Sequence, residues 1–135
     1  MKGYFREPPP RYMNLATWLE RAARANPAAP AIVLGRSPWA SYGELASRAA
    51  AVAGALRAEL SPGERVAIAM KNSPEYLVAM YGIWWAGLAA VPVDAKLHAK
   101  EVAWIVEDAG ARVVIASPGE LRDLAAAEPM ALAAT

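Results

Sequence analysis

Lys71, Asn72 and Ser73 stand between an apolar run and a proline-led helical pattern. An ammonium, a hydroxyl and the free N–H groups of a helix start could together receive an anion there. The same residues also make an ordinary helix start, with Ser73 as cap and Pro74 in the first turn, and that role needs no ligand. Lys96 and Lys100 could steer a phosphate towards the next helix, although a solvated loop of mixed charge is the favoured reading. His98 is the only histidine and the chain has no cysteine. With Asp94 it does not make a three-ligand metal site, so it reads as a surface loop residue. Gly82 and Gly87 have the spacing of a phosphate-binding Walker loop, but Leu88 stands where lysine is required and the glycines fall inside and at the end of a helix. Trp84, Trp85 and Trp104 read as packing or interface residues clustered on two neighbouring helices. No catalytic, cofactor-binding or metal-ligating residue is assigned in the chain.

The elements that must position these residues follow from periodicity. Asn14 caps a first helix with an apolar stripe of Leu15, Trp18, Leu19 and Ala22, and Glu20 pairs with Arg24 on its other face. Ala31–Leu34 and the segment around Trp39–Ala40 predict a small hairpin turning at Arg36-Ser37-Pro38. Ser41 and Glu44 have capping-box spacing at the start of a helix that buries Leu45, Ala49, Val52, Leu56 and Leu60. After the turn at Ser61–Glu64, residues 65–70 are apolar on both faces, as a central parallel strand covered on each side requires. A helix to about Ala86 stops at Gly87 and returns as a strand over 88–93. A further helix over 99–109, burying Val102, Ile105, Val106 and Ala109, stops at Gly110 and delivers a strand over 112–116. Two consecutive βαβ units predict an α/β, three-layer, right-handed parallel sheet. A last alanine-rich helix starts after Ser117-Pro118, with Glu120 in capping spacing.

Two stretches within this framework carry a resemblance. Ser41-Tyr42-Gly43-Glu44-Leu45 is similar to the first core motif of the adenylate-forming enzymes, and Trp85-Ala86-Gly87-Leu88-Ala89-Ala90-Val91-Pro92-Val93-Asp94 resembles the second. That superfamily comprises acyl-CoA synthetases, aryl-CoA ligases, luciferases and peptide-synthetase adenylation domains. Order and spacing match, from Asn14 to about Ala116. The sequence departs from the family at Ala95-Lys96-Leu97-His98, where many members carry Asn-Pro. The resemblance implies the opening portion of the large N-terminal domain: an arm at 1–13, then a subdomain fragment at 14–135. The family's phosphate loop, ribose-binding acid, hinge and catalytic lysine lie further along than Thr135. It implies a parent that uses ATP, magnesium and coenzyme A to convert a carboxylic acid to an acyl-adenylate and then a thioester. It also implies, as partner, the remainder of that enzyme. The recognition residues themselves have structural roles on their own reading: caps, a helix stop and sheet core.

Composition sets outer bounds. A chain of 135 residues, 56% hydrophobic and 20% charged, is one domain by size and can bury roughly two-thirds of its unfolded surface. A net charge of +1 without a basic run argues against nucleic acid. The absence of cysteine excludes disulfides and fits a cytoplasmic location. Residues 76–93 form an uncharged run as long as a minimal membrane span, but Gly82, Gly87 and Pro92 break it and favour a buried core over a span. A self-contained interaction or dimerisation module using its tryptophan-bearing helix face is the alternative to an enzyme fragment. Exposed apolar surface predicts a homodimer.

Overall fold

The computed structural model describes residues 13–127 and 132–134. The expected N-terminal arm therefore lies outside the described residues except for Met13, which is exposed. Helix α1 (Ala16–Ala25) leads to an antiparallel hairpin, β1 (Pro30–Leu34) and β2 (Ser37–Ser41). The turn is formed by Gly35, at φ 64°, with Arg36, one step earlier than the predicted Arg36-Ser37-Pro38. Pro38 is tolerated inside β2 because a two-stranded ribbon leaves its missing donor on an edge. Next come α2 (Tyr42–Arg57), β3 (Arg65–Ala69), α3 (Pro74–Trp85), β4 (Ala89–Pro92), α4 (Ala99–Asp108), β5 (Ala111–Ala116) and α5 (Pro118–Ala127). A short strand, β6 (Leu132–Ala134), pairs parallel with β5. The alanine-rich end of the sequence predicts only a helix, because three residues are too few to show a period.

The main sheet has the order β4-β3-β5-β6 and is parallel throughout. Its two central strands are covered on both faces, and their alternation divides the core. Val66, Ile68 and Ile115 point to one side, where Ala53, Leu56, Ala79 and Ile83 of α2 and α3 meet them. Ala67, Ala69, Val114 and Ala116 point to the other, against Val102 and Val106 of α4 and Leu124 of α5. Ile68, Ile83 and Ile115 are completely enclosed, each stabilising the fold by about 1.5–3 kcal/mol relative to an exposed side chain. The hairpin and α1 form a third cluster on the outer side of α2, built on Leu19, Ile32, Leu45 and Ala49.

Four packing expectations differ from the structure. Trp18 is 57% exposed, and Ala16 with Leu19 supplies the buried face of α1. Ala53 replaces Val52 as a fully buried position on α2, and Ala103 replaces Ile105 and Ala109 on α4. Val52 and Ile105 remain partly buried and packed against the two core clusters. The tryptophans do not cluster on neighbouring helices either. Trp84 and Trp85 lie on α3, on one side of the sheet, whereas Trp104 lies on α4, on the other, and is 65% exposed.

Candidate functional site

Strand order determines where a ligand could meet this sheet. From β3 the chain moves outward through α3 to β4. From β5 it moves the opposite way through α5 to β6, so α3 and α5 flank the sheet on opposite faces. A single crossover hand requires that division. The carboxyl ends of β3 and β5 therefore form a topological switch point, the location where open α/β sheets receive ligands. A crevice of about 670 Å³ is found there, lined by Met70, Lys71, Ser73, Glu75, Ser117 and Glu120, with Asp123. An adjoining cleft of about 400 Å³ runs over the ends of β3 and β4 and shares Lys71. Asn72, Tyr76, Asp94 and Lys96 line its sides. Burial pushes the Tyr76 phenol above its ordinary range, because a phenolate would lose hydration there.

Lys71 and Ser73 are thus brought to the mouth of the crevice at a strand-to-helix junction, and Asn72 between them lines the adjoining cleft. Ser73 accepts the Tyr76 N–H at 3.3 Å and caps α3. Glu75 sits in the first turn of α3 and Glu120 in that of α5. The Ser117 hydroxyl donates to the Glu120 carboxylate. The crevice therefore holds one lysine against three carboxylates, and the positive helix ends already face their own acidic side chains. That donor set does not fit a nucleotide triphosphate. Nor do three His, Cys, Asp or Glu side chains gather into a metal-binding group among the described residues. His98 lies on the exposed surface directly before α4, where Glu101 accepts its backbone N–H at 3.0 Å.

The two sequence motifs shape the start of α2 and the end of α3. In the first, Glu44 N–H donates to Ser41 Oγ at 3.1 Å and Ser41 N–H donates to Glu44 Oε2 at 2.9 Å, completing the capping box. Tyr42 and Gly43 donate their N–H groups to the carbonyls of Ala29 and Pro27. A Cβ on Gly43 would stand 3.2 Å from both Pro27 Cβ and Pro27 O, which explains a glycine inside this motif. In the second, Gly87 at φ 76° ends α3. Its N–H bonds Trp84 O, and Leu88 N–H reaches back to Ile83 O. This is a Schellman stop, and its apolar contact is supplied by Ile83 and Leu88 in one core cluster.

Sequence reading missed how the carbonyls at that helix end are satisfied. Asn14 Nδ2 donates to Trp84 O at 2.6 Å, while its Oδ1 accepts Ala16 N–H at 2.9 Å, so one amide, a residue before the N-cap position Leu15, both receives the first N–H of α1 and ties that helix to α3. Arg57 donates to Trp85 O at 2.8 Å and to Ala86 O at 3.4 Å. These partners are 70 and about 28 positions away in sequence, so no local pattern signals them. Beyond β4, Asp94 Oδ1 accepts Lys96 N–H at 2.9 Å and shapes the loop that walls the second cleft.

The profile of the family described as AMP-binding enzyme matches residues 19–134. The chain belongs to the AMP-binding enzyme family. Feruloyl-CoA synthase of an Amycolatopsis species is 36% identical over 117 residues, which are 86% of this chain and 24% of that protein. Long-chain-fatty-acid–CoA ligase FadD13 of Mycobacterium tuberculosis is 41% identical over 80 residues, covering 59% of this chain and 16% of that one. The crystal structure of the N-terminal domain of FACL13 from M. tuberculosis superposes with a TM-score of 0.79 at 28% identity, covering 89% of this chain and 33% of that chain. The chain thus spans a quarter or less of the length of these curated relatives. For an AMP-binding family member, the capping box and the Schellman stop give the two recognition motifs their structural meaning.

Proposed function

We propose that this chain is the opening portion of the AMP-binding domain of a cytoplasmic carboxylic acid–CoA ligase. The parent would use ATP, magnesium and coenzyme A to form an acyl-adenylate and then an acyl-CoA thioester. The observation that carries this reading is the match over residues 19–134 to AMP-binding enzymes, with relatives named as CoA synthase and CoA ligase. The misfit of the switch-point crevice to a triphosphate supports assigning the chemistry to other parts of the parent. In the parent, this segment supplies a prebuilt sheet and the two helix ends against which those parts pack. On its own, the proposed behaviour is association into a dimer through exposed apolar side chains. The reading of a self-contained interaction module without catalysis has no support from the family match.

The experiment has two arms. The 135-residue chain, incubated with ATP, magnesium, labelled pyrophosphate and a panel of carboxylic acids, is expected to show no exchange above background. Exchange with any acid would overturn the assignment of chemistry elsewhere. The reading frame beyond Thr135 is expected to continue into a Ser/Thr/Gly-rich phosphate loop. The product of the continuous frame is then expected to yield an acyl-CoA by mass spectrometry. Transfer of the acyl group only to a carrier-protein thiol would replace the CoA ligase reading with a peptide-synthetase one.

A further inference from the structure

We draw no further inference here: the strongest candidate, the crevice between the starts of α3 and α5 at the carboxyl ends of β3 and β5, rests on two helix N-termini and an acidic cluster with no buried unpartnered polar side chain aimed into it, and so belongs to the site already described.

Discussion

Ser41 and Glu44 each satisfy a backbone donor at the other residue, so a single hydroxyl and a single carboxylate serve two of the donors at the α2 start. Ser41→Ala is expected to lower stability by about 1 kcal/mol. Urea melts check this, and an unchanged midpoint would mean that the cap contributes nothing. A second carboxylate carries a pH signature. Glu64 is held below its ordinary pKa first by the Ser61 N–H, donated at 2.6 Å, and then by Arg112 at 3.1 Å. Because the folded pKa is depressed, the stabilisation is complete above the ordinary value of about 4.5 and is lost as pH falls through the folded pKa. Glu64→Gln is therefore expected to weaken the protein at neutral pH, with the difference from the parent shrinking as acid is added below about 4.5. Melts at pH 7 and pH 3 measure it, and a difference that is equal at both would rule out the linkage.

At the level of the elements, the α2–α3 pair relies on one residue without a side chain. A Cβ at Gly82 would lie 2.7 Å from Val52 Cβ, 2.6 Å from its Cγ1 and 3.2 Å from Ala49 O. A real side chain there forces the helices apart. Alanine would raise helix propensity by about 1 kcal/mol, but overpacking costs about 1–3 kcal/mol, so Gly82→Ala is expected to destabilise on balance. Val52→Gly removes the clashing atoms. In that background the alanine is expected to be tolerated, giving a coupling of about 1–2 kcal/mol in a double-mutant cycle. Strictly additive losses would show that the two helices do not meet through this pair. The same crossing brings Arg57 to the α3 carbonyls, so helix separation and the geometry of the Gly87 stop are linked.

Among the described residues, Met13, Trp18, Val33, Leu34, Leu77 and Trp104 leave large apolar groups in solvent, and β4 is the outer strand of the main sheet. Such surface favours association, which must still overcome lost translational freedom and rotamer entropy. A dimer is expected at micromolar concentration by sedimentation. Replacing Trp104 or Trp18 by glutamate separates the two faces of the molecule: the substitution on the buried side of the dimer is expected to restore the monomer. A clean monomer for the unmodified chain, with no apolar dye binding, would refute association. No helix among the described residues is long and apolar enough to cross a membrane. The uncharged run at 76–93 is accounted for by α3, its glycine stop and β4.

Most of what depended on neighbours close in sequence could be read directly, the hairpin turn at Gly35-Arg36 being missed by one step. The Ser41–Glu44 box, the Ser73-Pro74 start, the Gly87 and Gly110 stops and the two-sided apolar β3 follow from local capping geometry and from periods of two and 3.6. The Glu20–Arg24 pair, at 2.7 Å, follows from the same helical spacing. What required the tertiary structure was anything set by distance in space. Which alanine or valine occupies a helix crossing depends on how close the partner helix comes. Asn14 and Arg57 find their carbonyls only after three helices pack. Trp84 and Trp104 separate only once strand order assigns α3 and α4 to opposite faces. The switch-point crevice exists because β3 and β5 are neighbours with diverging connections, a relation that no stretch of sequence encodes by itself.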